Sequence, residues 1–516
     1  MTQPQSDPAT EGGTLTSRQL GVLQISVLVV ALCGIVYELI IAAVSAYLLG
    51  DSVYQFSITI GLFMFAMGVG SYLTRRLERD LLERFVQIEV AIALIGGLSS
   101  TILFLVFPWR AFYVPVMYLL IIVIGTMVGL EIPILTRLLS RTDTLRNSIA
   151  KVLSLDYLGG LIGSVAFPLV LLPHLGMFRA SFGIGLLNFI IALLNILVFW
   201  HVLRRPRRLM IITVAGLVVL TAGMIFGKAV TAYAEGRLFA DTVLYQQHTR
   251  FQRIVVTRHD VTGKIRLFLD GHLQFAEQDE HRYHEALVHP VMSVPGPRGD
   301  VLILGGGDGL AVRELLKYPE IKKIDLVDID PAMTDLSRSF APIVRLNEGA
   351  LEHPKVTIYN EDAFAFVRTH LGAYDRIIVD LPDPHNEALS KLYSVEFYRL
   401  LRRTMRSDGW FVTQSTSPFF TRDVFWSIAE TVRAAGMEPL SYHITVPSFG
   451  EWGFTLGGGE GKVAADFKVA VPTTFIDDRV LAAAQVFPAD TRPREVAVNS
   501  VFEPRMYQLY LAGLYQ

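Results

Sequence analysis

The chain has 516 residues, enough for two or three domains with separate cores, and is unusually apolar, with 52% hydrophobic and 18% charged residues and a mean hydropathy of +0.42. A net charge of −2 gives no support to a nucleic-acid-binding surface, and the single cysteine, Cys33, excludes disulfide frameworks and thiolate zinc sites. These averages merge two unlike halves: long apolar stretches to about residue 230, and an ordinary α/β pattern beyond.

Residues 1–19 are polar and are expected to form a disordered tail. The apolar run that begins near Leu20 continues to about Gly50, too long for the core of a cleaved signal peptide. Seven segments reach the roughly 20 residues needed to cross a bilayer. They lie near 20–49, 54–74, 85–107, 111–136, 152–173, 180–201 and 209–227, within a helical membrane domain over 20–230. Alternate connections are basic: Arg75, Arg76, Arg79 and Arg84; Arg137, Arg141, Arg146 and Lys151; Arg204, Arg205, Arg207 and Arg208. The intervening ones hold little beyond Arg110 and Arg179. The positive-inside rule puts the basic loops and the N-terminus in the cytoplasm of a multi-pass cell-membrane protein. Glu38, Glu89, Glu131 and Asp156 fall inside these segments, where a carboxylate is costly unless paired or wet. The glycines of Gly68–Ser71 and Gly159–Gly163 suit close helix packing.

From about Asp241 the pattern changes. Phe251–Thr257 and Ile265–Leu269 read as a hairpin within a β subdomain over 231–290. Strands at Val301–Leu304, Lys323–Val327, Val356–Tyr359, Arg376–Val379 and Trp410–Gln414, with a helix at Ala311–Tyr318, then predict a Rossmann-like domain over 291–516, a parallel sheet covered by helices. Ligands in such a domain bind beyond the carboxyl ends of the strands. Strand one ends there in the loop Gly305–Gly309, and strand two in Asp328, about 20 residues on, where a carboxylate can accept ribose hydroxyls. Strand three leads to Asp362-Ala363 and strand four ends in Asp380-Leu-Pro-Asp383. Asp308 in the glycine loop disfavours phosphate, so a cationic nucleoside such as a sulfonium is expected; alternatively Asp308 only caps the next helix. Together Asp270, Asp279, Asp308, Asp380 and Asp383 would repel one another in one cleft unless a cation such as a polyamine arrived. No spacing suggests a metal site.

The run Leu269–Gln274, then Asp279-Glu280 and Tyr283-His-Glu285, resembles the N-terminal signature of spermidine synthases. Gly305–Gly309 with Arg313-Glu314, and Ile378–Asp380 with Asp383-Pro384, resemble their later signatures. The likeness covers about residues 240–460, and the membrane half resembles that of membrane-anchored bacterial members. It implies transfer of an aminopropyl group from decarboxylated S-adenosylmethionine to a diamine, usually putrescine, giving spermidine, with no cofactor or metal. By the same resemblance Asp380 is the general base, and Tyr283 and Asp383 hold the amine. Gln252 and His284 contact the donor, Asp308 its ammonium, Asp328 its ribose, and Asp362 and Ala363 its adenine.

Phe251, Asp328, His385–Leu389 and Pro447–Phe449 depart from the usual pattern, the last two at the acceptor side. A methyltransferase dependent on S-adenosylmethionine, or a polyamine transporter or sensor, are the alternatives. The expected partners are the diamine, the sulfonium nucleoside and the lipid bilayer, with a homo-oligomer left open and no nucleic acid. Because the implied donor is cytoplasmic, the catalytic domain is expected there too. One of seven spans, best that near 209–227, would then not fully cross.

Overall fold

A computed structural model describes residues 15–49, 52–107, 109–142, 144–236, 241–458 and 467–514. The chain divides into two units, Met1–Ala240 and Asp241–Gln516. Most of the expected polar tail lies outside the described residues, and helix begins at Ser17, inside the predicted tail.

In the first unit every apolar stretch becomes a helix: α1 (Ser17–Leu49), α2 (Ser52–Leu73), α3 (Leu81–Val106), α4 (Arg110–Leu139), α5 (Leu145–Ala166), α6 (Leu172–Val198) and α7 (Pro206–Gly236). Helices α5 and α6 join through a π-helical turn at Phe167–Leu171, where Pro168 lacks an N–H to donate. Counted as one run, Leu145–Val198 has 54 residues. That is about 80 Å of helix, more than twice the apolar thickness of a bilayer. Gly176 breaks it, at φ 69° and ψ 176°. Among the described residues, six helical runs are long and apolar enough to cross a membrane, against the seven segments expected, because Leu145–Val198 counts as one run despite the break at Gly176. The segment near 209–227, expected to be the incomplete one, lies within the uninterrupted helix α7.

The glycine-rich stretches pack as their composition suggested. A Cβ at Gly159 or Gly163 of α5 would come within 2.2 or 2.8 Å of the α1 carbonyls of Leu28 and Leu32, and one at Gly70 of α2 within 2.0 Å of the α4 carbonyl of Thr126. Gly68 meets nothing and plays no such part. Glu89 and Glu131 are fully buried, and their carboxylate oxygens have no hydrogen-bond partner among the described residues.

The second unit opens with an antiparallel four-stranded sheet: β1 (Thr242–His248), β2 (Arg253–Arg258), β3 (Ile265–Leu269) and β4 (His272–Ala276). Only β2 and β3 were expected. Asp270 and Gly271, both at positive φ, make the tight turn joining β3 to β4, as Asp-Gly pairs do in hairpins. This sheet ends at Ala276, short of the predicted boundary at 290. The following helix α8 (Glu280–Ser293) instead buries Ala286, Leu287, Val288, Val291 and Met292 against the main sheet.

That main sheet holds β5 (Asp300–Gly305), β6 (Lys323–Val327), β7 (Val356–Tyr359), β8 (Tyr374–Asp380), β9 (Met405–Gln414), β10 (Pro439–Val446) and β11 (Gly450–Gly458), in the order β10-β11-β9-β8-β5-β6-β7. Strands β5 to β9 are parallel, as predicted. The unforeseen β10–β11 hairpin adds an antiparallel edge through β11 against β9. Apolar layers cover both faces, and a large aliphatic side chain fully buried in them contributes about 1.5–3 kcal/mol.

The chain builds β5, β6 and β7 outwards, then returns to lay β8 on the other side of β5. This reversal opens a crevice between the ends of β5 and β8, where Gly305 pairs with Asp380. Gly305 has φ +85°, and a Cβ there would stand 1.9 Å from the Asp380 carbonyl oxygen. Gly372 shares the left-handed conformation, at φ +63°, but faces open space. Alanine at Gly372 should cost only about 1–2 kcal/mol of left-handed strain. Gly305→Ala should cost clearly more, read as a larger fall in the thermal midpoint; equal losses in both variants would contradict this account of the crevice.

Candidate active site

The crevice widens into a cavity of about 520 Å³. All nine residues assigned from the sequence line it: Gln252, Tyr283, His284, Asp308, Asp328, Asp362, Ala363, Asp380 and Asp383. They come from the β1–β2 connection, α8, and the loops after β5, β6, β7 and β8, so only the folded topology brings them together.

Asp380 ends β8, and the Tyr283 hydroxyl of α8 donates to its Oδ1 at 2.6 Å. Burial, then the nearby Asp308 carboxylate, push the Asp380 carboxyl up to about 6, against the opposing pull of His284 and the Tyr283 hydrogen bond. Asp308 is likewise raised by burial. Its Oδ1 accepts the Leu310 N–H at 2.9 Å, so it does hold the start of the next helix, while still lining the cavity. Asp383 is raised to about 6 by burial, with Gln414 Nε2 donating to Oδ1 at 3.2 Å and the Tyr510 hydroxyl to Oδ2 at 3.1 Å.

A cation balances this group. His284 Nδ1 meets the Glu280 carbonyl and Oε2, each at 2.8 Å. Burial works against its charged form, but Glu280, Asp308 and Asp380 together lift it to about 9, so the imidazole keeps its proton at neutral pH. Arg313 grips both oxygens of Glu280, at 2.9 and 3.0 Å. Burial would raise the Glu280 carboxyl, yet His284 and Arg313 hold it at about 2.

Around the Asp328 carboxylate the partners are backbone groups. Asp328 Oδ2 accepts the Gly307 N–H at 3.1 Å and Oδ1 the Asp330 N–H at 2.9 Å, while burial raises its carboxyl to about 6. A Cβ at Gly307 would come within 2.4 Å of the Asp328 carboxylate, which would have to move. Gln252 reaches Asp330 Oδ2 at 3.1 Å. Asp362 caps its helix through the Ala365 N–H at 3.0 Å and pairs with Lys391 at 3.0 Å.

Two residues grouped by sequence do not share the same surroundings. Asp270 lines the cavity, but Asp279 does not: its carboxylate accepts from the Ser448 N–H at 2.7 Å and hydroxyl at 2.9 Å, tying α8 to the β10–β11 turn. Glu285 is also structural, accepting the N–H groups of Thr474, Phe475 and Ile476. Sequence reasoning missed Lys391, Gln414, Trp452 and Tyr510 as cavity residues. None sits in a motif, and Tyr510 lies far along the chain from its partner Asp383. Among the described residues no group of three or more His, Cys, Asp or Glu is placed to hold a metal ion.

Residues 280–468 match the spermine/spermidine synthase domain. A polyamine aminopropyltransferase of Leptospira interrogans is 42% identical over 495 residues, covering 95% of this chain and 97% of that one. One from Streptomyces coelicolor is 40% identical over 519 residues, covering 98% and 96% respectively. A third, from Ralstonia nicotianae, is 43% identical over 493 residues, covering 92% of each.

The raised carboxyls have a consequence for stability. Asp380 binds its proton more tightly when folded, near pH 6, than when unfolded, near 3.8. Its charge therefore destabilises the ligand-free fold increasingly as pH rises from about 4 to 6, and fully above that. Asp380→Asn should raise the thermal midpoint of ligand-free protein at pH 7.5, and by distinctly less at pH 5. The same gain at both pH values would mean that Asp380 titrates normally.

Proposed function

We propose that this chain, which belongs to the polyamine aminopropyltransferases, transfers an aminopropyl group from decarboxylated S-adenosylmethionine to a diamine, putrescine, giving spermidine and methylthioadenosine. The observation that carries this reading is Asp380: a half-buried carboxylate with its pKa near 6, at the strand reversal, in a cavity with Asp308 and Asp383.

An ammonium cannot attack, so the acceptor must first lose a proton, and Asp380 is the base that takes it. The freed nitrogen forms a bond to the propyl carbon beside the sulfonium. The carbon–sulfur bond breaks, its electrons return to sulfur, and neutral methylthioadenosine leaves. Tyr283 orients Asp380 through its 2.6 Å hydrogen bond. Asp383 holds the acceptor's amine, and alignment of nitrogen, carbon and sulfur supplies much of the acceleration.

On the donor, Asp308 takes the terminal ammonium, and this same charge disfavours the carboxylate of ordinary S-adenosylmethionine. Asp328 takes the ribose hydroxyls, and Asp362 with the Ala363 backbone faces the adenine. Gln252 and His284 complete the donor's surroundings. The charged His284 offsets the negative potential of the empty cleft, so Asp308 and Asp380 can stay close while awaiting cationic substrates. The relatives give no support to the methyltransferase alternative, or to a ligand-binding domain without turnover.

Purified protein incubated with decarboxylated donor and a panel of amines tests the reading. Transfer to putrescine is expected, with an acid limb in kcat/KM near pH 6. Asp380→Asn should lower turnover by about 10²–10⁴-fold with donor binding retained. Asp308→Asn should weaken decarboxylated donor more than methylthioadenosine, which lacks the ammonium. Near-normal turnover by Asp380→Asn would remove the base from this scheme.

The apolar helices support a place in the bilayer, with the catalytic unit on the cytoplasmic side where the donor is made. One of the seven helices then stops short of a full crossing. A fluorescent protein that matures only in the cytoplasm, fused after Gln516, should fluoresce. Activity of a phosphatase that folds only outside the cytoplasm, at the same junction, would reverse the assignment.

A further inference from the structure

Beyond residue 468, where the family match ends, the chain returns to the cavity. Residues 499–505 form an irregular strap bent at 501–503, and Met506–Leu514 a short helix, whose Met506 and Tyr510 are buried in the core on one face of the main sheet. The Tyr510 ring is 7% exposed, and its hydroxyl donates to Asp383 Oδ2 at 3.1 Å. On the other oxygen, Gln414 Nε2 lies 3.2 Å from Oδ1. It shares its two N–H groups with the closer Leu381 carbonyl at 2.7 Å and Tyr393 hydroxyl at 2.6 Å, so the Tyr510 hydroxyl is the firmer donor to this carboxylate. Two donors on two different oxygens fix the plane of this carboxylate, and each oxygen keeps a lone pair for another donor.

The strap is fastened to the cavity wall as well. Asn499 Nδ2 donates to the carbonyls of Ser390 and Tyr393, at 2.9 and 3.0 Å, and its Oδ1 accepts the N–H groups of Arg505 and Met506. Glu396 accepts from the Ser500 hydroxyl at 2.9 Å and the Val501 N–H at 3.0 Å. Tyr393 in turn donates to the carbonyl of Pro382 at 2.9 Å and accepts from Gln414 Nε2 at 2.6 Å. The bonds close a ring that leaves the strap at Asn499, passes through Tyr393 and Gln414 to Asp383, and re-enters the strap at Tyr510. A segment that merely covered the surface would need none of these contacts with a cavity carboxylate.

We infer that the C-terminal strap is a built part of the acceptor site, in which Tyr510 is a positioning residue that orients Asp383 towards the acceptor's ammonium. This rests on the reading of Asp383 as the amine's ligand. Without the phenol hydroxyl, Asp383 loses one of its two orienting donors and can rotate away from the cation. The donor nucleoside is held by Asp308, Asp328 and Asp362, whose carboxylates, among the described residues, accept hydrogen bonds from Leu310, Gly307, Asp330, Ala365 and Lys391 rather than from the strap, so Tyr510 should affect its binding little.

The test compares the full-length wild type with Tyr510→Phe, which keeps the ring and its packing, and with Leu509→Ala. Leu509 packs the same helix onto the core but does not line the cavity. Tyr510→Phe should raise the acceptor KM about tenfold, the size expected for one hydrogen bond to a charged group, with kcat and the donor KM within twofold. Calorimetry with putrescine and methylthioadenosine present should show the same loss in amine affinity, independently of turnover. Leu509→Ala should lower the thermal midpoint and leave the acceptor KM alone. The inference falls if Tyr510→Phe binds amine as tightly as wild type, or if Leu509→Ala weakens amine binding as much as Tyr510→Phe does. An inactive wild type that still binds putrescine, and binds it less well as Tyr510→Phe, would overturn the proposed reaction but not the role of the strap.

Discussion

The catalytic unit is organised around a cluster of half-buried carboxylates. Asp308, Asp328, Asp380 and Asp383 stand in one cavity, each with its carboxyl raised mainly by burial. Such a cluster opposes folding, and it is tolerated because fixed donors surround it: the Gly307, Leu310 and Asp330 N–H groups, the Tyr283 and Tyr510 hydroxyls, and the Gln414 amide. The chain of His284, Glu280 and Arg313 adds a buried positive charge next to the two carboxylates that lie closest to the chemistry. What remains uncompensated is the affinity for cations that a site for two cationic substrates requires.

The same balance explains how far apart in the chain the site's parts lie. The carboxylates come from three strand ends, each with its own fixed donors. The parallel sheet brings them together by delivering one loop per strand end to the reversal between β5 and β8. The β10–β11 edge then brings in Phe449 and Trp452, and Asp279 anchors the turn between those strands to α8. Residues that look alike in sequence thus separate into two kinds of work: Asp308 faces the cavity, whereas Asp279 and Glu285 hold the walls that shape it.

In the first unit the balance differs. The helices follow from apolar length, and close approaches at Gly70, Gly159 and Gly163 set how α2 meets α4 and α5 meets α1. Glu89 and Glu131 stay buried without partners among the described residues, a cost that helix packing must offset.

Sequence alone determined the two-part organisation, the apolar helices, the five parallel strands and the cavity residues at strand ends, Asp308, Asp328, Asp362, Ala363, Asp380 and Asp383, whereas Gln252, Tyr283 and His284 came only from the family resemblance. The reason is that these features are local: hydrophobic length, strand alternation, and glycine or aspartate at strand ends. The Asp270-Gly271 pair is a hairpin signal of the same local kind, and it turns β3 into β4. Tertiary structure decided the rest. Gly176, at φ 69° and ψ 176°, makes the break between the spans read near 152–173 and 180–201, but only the folded backbone shows that the preceding turn at Phe167–Leu171 is π-helical. The strand order places Asp380 beside Gly305, a pairing between distant segments that no spacing encodes. Lys391 and Tyr510 find Asp362 and Asp383 only after the chain has folded back over 29 and 127 positions, since ion pairs and hydrogen bonds of that range leave no periodic trace in a single sequence.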